Sequence, residues 1–366
     1  MSHSVANRSR AGRFGGRVAL ITGGAGFIAT NVADRLLSDG WHVRVFDNLS
    51  RPGVEHNVRW LVSRHGDRVE ARVADVRDRS ALASALTDVE RVFHFAAQVA
   101  VTTSLADPFL DFEVNARGTL NLLEAVRTRP QPPTLLFTST NKVYGHLDDI
   151  PLVRRGQRYE PVNASIAARG IAEDCPLDFH SPYGCSKGAA DQYVLDYART
   201  FGIPASVFRM SCIYGPHQFG TEDQGWVAHF LIQALRRSPL TLYGDGLQVR
   251  DVLFVEDLVD AMLLAHECID QTAGRAFNIG GGPGRTTSLL ELLDVIGRLT
   301  GSPPAFSLEP WRTADQRYYV SNTTAFERAT GWRPHVSVAE GVRRLRAWLL
   351  EAGVAAPLAT AAGRAS

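Results

Sequence analysis

Cysteine is scarce in this chain of 366 residues: Cys175, Cys185, Cys212 and Cys268 are the only four, and none stands in a C-x-x-C pair. A chain of this length buries a core large enough to dispense with disulfide staples, so reduced thiols and a cytoplasmic setting are expected. An excess of either charge is also missing. Lysine and arginine number 39 against 38 acidic residues, a formal net charge of +1, which leaves no electrostatic case for a nucleic-acid or membrane-surface partner. No apolar run reaches the roughly 18 residues of a membrane span, and the first stretch is polar where a signal peptide needs an apolar segment. The histidines show neither H-E-x-x-H nor a Cys/His cluster, so no metal site is expected. There are no repeats. A short basic run, Arg8–Arg13, and an alanine-rich end, Ala352–Ser366, mark residues 1–16 and 352–366 as disordered extensions.

Between those ends the sequence alternates short apolar runs with helical stretches. Val18-Ala19-Leu20-Ile21-Thr22 is apolar almost throughout and stops at glycines, as a strand covered on both faces does. A helix follows over Phe27–Ser38, with Gly40 as its stop. Further strands are read at His42–Phe46, Val69–Ala74, Arg91–Phe95, Thr134–Phe137 and Ala205–Met210, with helices such as Phe109–Arg127 and Tyr183–Phe201 between them. This is the pattern of an α/β fold, a Rossmann-type doubly wound parallel sheet. Residues 17–210 form the expected dinucleotide-binding domain, in which the irregular stretch 145–181 reads as an active-site loop. Residues 211–351 read as a smaller substrate-binding lobe, interleaved with the first domain and partly returning to its sheet.

Gly23-Gly24-Ala25-Gly26-Phe27-Ile28-Ala29 follows the first strand and opens the first helix. Gly23 and Gly26 permit a tight turn and close backbone approach to a pyrophosphate, while the amides of Phe27 and Ile28 open a helix N-terminus that favours anions. Asp47 ends the second strand about twenty residues on, where a carboxylate binds ribose hydroxyls; this favours NAD over NADP, although Arg51 is near enough to meet a 2′-phosphate. Asn48 and Ser50 accompany it. Asp75 and Val76, after the third strand, are placed toward the adenine. Ala96, Ala97 and Gln98 end the fourth strand against pyrophosphate and ribose. Asn115 reads either as part of this group or as a polar support for the active site.

Tyr183 and Lys187 stand four apart at the start of a helix. A free phenol titrates near ~10, too high for a base at neutral pH; a lysine one turn away lowers that cost through its charge and also holds the nicotinamide ribose, so Tyr183 and Lys187 are expected cofactor contacts as well. Thr140, in Thr138-Ser139-Thr140-Asn141-Lys142-Val143-Tyr144-Gly145, supplies the hydroxyl that would bond the substrate. The expected catalytic set is therefore Thr140, Tyr183 and Lys187. His217, after Gly215-Pro216, reads as an exposed loop histidine without a role.

Gly-Gly-Ala-Gly-Phe-Ile, Phe-Asp-Asn, His-Phe-Ala-Ala, Asn-x-x-Gly-Thr, Tyr-x-x-x-Lys and Gly-Asp-Gly-x-Gln-x-Arg-Asp together resemble the extended short-chain dehydrogenase/reductase superfamily, over nearly all of Arg17–Leu350. Longer strings, 47–54, 139–145, 178–193 and Gln218-Phe219 with 223–227, are similar to the CDP-paratose (CDP-tyvelose) 2-epimerases. The resemblance implies a nucleotide-sugar epimerase that uses NAD, oxidises carbon 2 of a CDP-hexose transiently, and returns the hydride to the other face. It implies Arg250 and Arg317 on the nucleotide diphosphate, and Asn141, His180, Gln218, Phe219 and Gln224 around sugar or base. It also implies a homodimer or tetramer built on the helices Phe109–Arg127 and Tyr183–Phe201. Sugar 4,6-dehydratases need a carboxylate pair just after the catalytic threonine; Asn141 and Lys142 stand there instead, which argues against elimination. A 4-epimerase or ketoreductase of the same superfamily remains open, as, more remotely, does a non-catalytic NAD-sensing protein.

Overall fold

The computed structural model describes residues 16–354. The predicted disordered extension 1–16 lies, apart from its last residue, outside them. Of the predicted tail, Ala352–Val354 is ordered: the Val354 carbonyl accepts from Arg236 at 2.7 Å, and the remainder lies outside the described residues.

Seven strands form one all-parallel sheet: β1 (Val18–Thr22), β2 (His42–Asp47), β3 (Val69–Val73), β4 (Val89–His94), β5 (Thr134–Thr140), β6 (Ala205–Met210) and β7 (Ala276–Ile279), in spatial order β7-β6-β5-β4-β1-β2-β3. The central strands are apolar along their whole length because both faces are covered; all five residues of β1 are buried. One face packs on the helices Phe27–Ser38 and Val255–Glu267 through Val32, Leu36, Leu258 and Met262. The other packs on Gly118–Arg127 and Ser181–Phe201 through Leu122, Val126, Ala190 and Val194. The strand order reverses between β1 and β4, so a crevice opens there beyond the carboxyl ends of the strands.

A second core gathers Tyr214, Phe230, Leu242, Phe254, Leu293 and Val342 under the helices Trp226–Arg236, Leu289–Thr300 and Val338–Glu351. Its strand Val249–Phe254 pairs with Cys212–Tyr214, Thr286–Ser288 and Tyr318–Tyr319.

The stretch 145–181, read as an irregular active-site loop, is structured and lies elsewhere. It holds a hairpin, Leu152–Arg155 with Arg158–Pro161, and a helix Ala164–Arg169 capped by Asn163. The hairpin docks on the smaller lobe through Tyr159 N to Leu247 O (3.0 Å), and Ile171 bridges to Ser321. None of these residues lines either main cavity. The short pattern escaped sequence reading because its strands are stabilised by a distant lobe rather than by their own periodicity.

Candidate active site

Two adjoining cavities, each of about 460 Å³, occupy the crevice. The first is lined by Gly23, Gly26, Asp47, Asn48, Ser50 and Arg51 on one side, with Asp75, Val76, Ala96, Ala97 and Gln98 opposite. Its chemistry suits a dinucleotide. The Phe27–Ser38 helix has no side-chain cap and no acidic residue in its first turn, so its leading amides and positive dipole end face an anion unopposed. Gly23 adopts φ +65, and an added Cβ would stand 2.6 Å from Ala96 N, so the turn lies against β4 as only glycine allows. The Asp47 carboxylate accepts from Leu49 N (2.8 Å) and Ala25 N (3.1 Å), which fixes both oxygens at the cavity edge. Burial pushes that carboxyl up, while the two amides and Arg51 pull it back. Asp75 is held by Arg77 and Asn48 and drops well below the usual carboxylate range.

Five residues read as cofactor contacts stand outside this lining: Phe27, Ile28, Asn115, Tyr183, which lines the second cavity, and Lys187, which lines neither. Phe27 and Ile28 pack their side chains against the core and bring only backbone to the helix start. Asn115 is 1% exposed and bonds Gln98 N (2.8 Å), Gln98 O (3.0 Å) and Ser186 Oγ (3.0 Å), taking the supporting position left open by the sequence. The helix carrying it passes through a π turn, Glu113–Arg117, which aims it inward.

The second cavity is lined by Thr140, Asn141, Lys142 and Tyr183, with Arg250 and Arg312 on the smaller lobe; Val99, Asp223 and Gln224 line both cavities. Thr140 is the last residue of β5, and Tyr183 lies in the first turn of the Ser181–Phe201 helix, so two elements 43 positions apart meet at the cavity wall. Burial pushes the Tyr183 phenol up to about 12, a shift the Thr140 hydrogen bond opposes and the charge of Asp111 reinforces. Lys187 is buried and lowered to about 7, chiefly by desolvation, with Asp191 and Asp111 acting the other way. Its Nζ donates to Thr138 O (2.5 Å) and sits 4.2 Å from the centre of the Phe137 ring. The expectation that Lys187 lowers the phenol is thus not met by this geometry. Desolvation is the largest cause on each group and moves both toward their neutral forms.

Asn141 bonds Gln316 Oε1 (2.8 Å), and Lys142 donates to Ala314 O (2.8 Å), tying the end of β5 to residues 314–316. Arg250 is buried, bonded to Asp315 (2.8 Å) and Gln316 O (2.5 Å), and faces the cavity. Arg317 does not. Gln316 turns its side chain fully inward, so its neighbour points to solvent, over Trp311. Arg312 takes the place expected of Arg317, stacked 3.8 Å from the Tyr243 ring and paired with Glu222 and Asp223. Sequence reading missed it because no motif marks a side-chain direction in an irregular loop.

Gln224 lines both cavities, held by Val99 O (3.2 Å). His180, Gln218 and Phe219 line neither. His180 stands just before the Ser181–Phe201 helix with its ring on Asp178 (2.7 Å) and no capping bond, Gln218 donates to Ile213 O (3.2 Å), and Phe219 packs on Trp348. His217 is half-buried between Trp60 and Trp348, not exposed, and is lowered to about 4 by burial.

A parallel sheet with a glycine-rich turn at its crevice, a cavity lined by that turn and by Asp47, and a threonine and tyrosine on the wall of a second cavity with a lysine buried one turn behind them define a nicotinamide-dependent enzyme. The chain belongs to the NAD dependent epimerase/dehydratase family, whose model matches residues 19–280, and it uses NAD. It is 43% identical to the CDP-paratose 2-epimerase of Salmonella typhi, over 90% of this chain and 98% of that protein. It is 32% identical to the UDP-glucose 4-epimerase of Mycolicibacterium smegmatis, over 89% and 96%. The crystal structure of the Thermus thermophilus UDP-glucose 4-epimerase in complex with NAD superposes with a TM-score of 0.77 at 33% identity, covering 92% of this chain and 99% of that one. Among the described residues no helix is long and apolar enough to cross a membrane.

Proposed function

We propose that this chain is an NAD-dependent nucleotide-sugar epimerase that inverts carbon 2 of a CDP-hexose, of the paratose/tyvelose or glucose type. The observation that carries the reading is the 43% identity to a CDP-paratose 2-epimerase across almost the whole of both chains. The wall shared by the two cavities at Val99 and Gln224 supports it, because a sugar in one then abuts a nicotinamide in the other. When bound, NAD supplies a reversible hydride acceptor. Asp47 holds the adenine ribose, and the uncapped helix start at Gly26 holds the pyrophosphate.

Tyr183 acts as base from its phenolate form, taking the proton of the sugar hydroxyl as the carbon is oxidised, and as the phenol gives it back after the 2-keto sugar has turned its other face. A phenol held near 12 is a weak acid, so it returns the proton reluctantly to water and readily to an alkoxide on the substrate. Thr140 aligns that oxygen, and Lys187 compensates the phenolate before it takes the proton and again after it returns it. Arg250 and Arg312 grip the diphosphate, a task for which the planar guanidinium is suited. Asn141 and Lys142 offer no carboxylate for elimination, which argues against a dehydratase. The acid–base set is complete, so a purely NAD-sensing role is disfavoured.

A homodimer, or a tetramer built from it, fits the exposed aromatic face of Phe109 (83% exposed), Phe112, Tyr193 and Phe201 on the helices Pro108–Phe112 and Ser181–Phe201. A cytoplasmic setting accords with four free cysteines.

The test is proton NMR of CDP-paratose and CDP-glucose incubated with the enzyme in deuterated water. Inversion at carbon 2 without deuterium there is the expected result and identifies the sugar. Inversion at carbon 4 instead, or stoichiometric consumption of NADH, would overturn the reading.

A further inference from the structure

Beneath the Tyr183–Lys187 pair lies a carboxylate that the reaction as described does not use. Asp111 is fully buried and sits one turn before Asn115. Its Oδ1 accepts from Gln98 Nε2 (2.8 Å) and Asn115 Nδ2 (3.1 Å), and its Oδ2 accepts from Ser186 Oγ. These donors come from three places: the loop that lines the cofactor cavity, the π turn, and the residue just before Lys187.

Among the described residues no arginine or lysine forms an ion pair with Asp111. By contrast Asp191, the other acid near Lys187, is gripped by Arg209 through bonds of 2.9 and 3.0 Å. The remaining groups around the pair carry little charge. His94, on β4, is buried between Thr22 (2.6 Å) and Thr119 (3.0 Å) and lowered to about 3, hence neutral. Glu113 and Arg117, in the π turn, pair with each other at the surface. The helix Val101–Ala106, packed on both neighbours, has no titratable side chain. Asp111 is thus a buried carboxylate held by three neutral donors and by no ion pair among the described residues, and its charge acts on both Lys187 and Tyr183.

We propose that Asp111 is a positioning residue of the acid–base pair: through Ser186 it ties the catalytic helix to the Gln98 loop that lines the cofactor cavity, and it sets a buried negative charge against the residue that precedes Lys187. An isolated carboxylate in such a place is costly, and burial indeed pushes it upward. Its attraction offsets part of the desolvation of Lys187, and its repulsion keeps the proton on Tyr183. One charge therefore moves both groups in the same direction.

The inference rests on the Tyr183–Lys187 reading above but needs neither the sugar nor turnover for its test. Lysine occurs in this chain only at 142 and 187, so protein labelled with [ε-13C]lysine shows two lysine signals, assigned by Lys142→Arg. Asp111→Asn is nearly isosteric: its amide oxygen accepts from Gln98 and Asn115, and its NH2 donates to Ser186 Oγ, whose proton turns to Tyr183 O, already 3.2 Å away. The expected result is a fall of about one pH unit in the Lys187 midpoint, with Lys142 unmoved. Where substrate is known, both limbs of the pH–rate profile shift acidward together. Ser186→Ala keeps the carboxylate and removes one of its three bonds, and is expected to move the midpoint less than Asp111→Asn does. Should Asp111→Asn not fold, Asp111→Ser is the smaller uncharged replacement. An unmoved Lys187 midpoint in a folded uncharged variant, or an equal shift in Ser186→Ala, overturns the proposal. A failure to epimerise any CDP-sugar leaves this titration readable and bears only on the function.

Discussion

Replacing Gly23 by alanine tests the cofactor cradle most directly, because two independent penalties converge there. With φ at +65 the position lies in the left-handed region, which costs an L side chain about 1–2 kcal/mol. The new Cβ would also meet Ala96 N at 2.6 Å, and Ala96 Cα and Phe95 C at 2.8 Å. All three are backbone at the end of β4 and cannot swing aside. Relieving the contact means parting the turn from β4 by several tenths of an ångström, an overpacking cost of about 1–3 kcal/mol. The total, about 3 kcal/mol, lowers Tm by something on the order of 5 °C for a chain of this size. It also moves the turn off the pyrophosphate, so bound NAD is lost. Gly40→Ala is the control: φ is +83 there, yet nothing lies within 4 Å of the added carbon, so only the backbone cost of about 1 kcal/mol applies. Differential scanning calorimetry and the nicotinamide released on denaturation read both effects. Equal Tm losses in the two variants, with NAD retained in both, would refute the argument that β4 presses on this turn.

Tyr183→Phe is expected to lower kcat by roughly 10²–10⁴-fold while NAD content and Tm stay near wild type; full activity would remove the phenol from the mechanism. Arg312→Ala is expected to raise KM for the nucleotide sugar about 10–100-fold, the worth of a hydrogen bond to a charged group. Arg317→Ala is expected to leave steady-state kinetics unchanged. A third expectation concerns stability. Lys187 and Lys142 are lowered by burial to about 7 and about 8, below the ~10.4 of an unfolded lysine. Just above the folded values the unfolded lysines bind more protons, so stability rises as pH climbs from about 7 toward about 8.5, before the buried tyrosines and cysteines, whose pKa values are raised, reverse the slope. Thermal melts against pH should show this slope, and Lys187→Met should flatten it; a Tm falling steadily over the same range would contradict the burial of both groups.

What the sequence alone determined was local. Gly23 to Ile28 had to turn tightly and start a helix; Val18–Thr22, apolar throughout, had to be covered on both faces; Tyr183 and Lys187 had to share a helix face. Each follows from residues a few positions apart, where backbone sterics and periodicity act without distant help. Family, fold class and cofactor were legible from these features. The tertiary structure decided what depends on far neighbours. Arg312 and not Arg317 faces the second cavity because Gln316 is drawn inward by Asn141 and Gly145, 175 and 171 positions away. The stretch 145–181 is ordered by the lobe on which it docks, and His217 is enclosed by two tryptophans from separate elements. The ionisation of the acid–base pair belongs to the same class. Charge attraction between neighbours can be read along a helix, but desolvation cannot, since it depends on every chain segment that excludes water from the site.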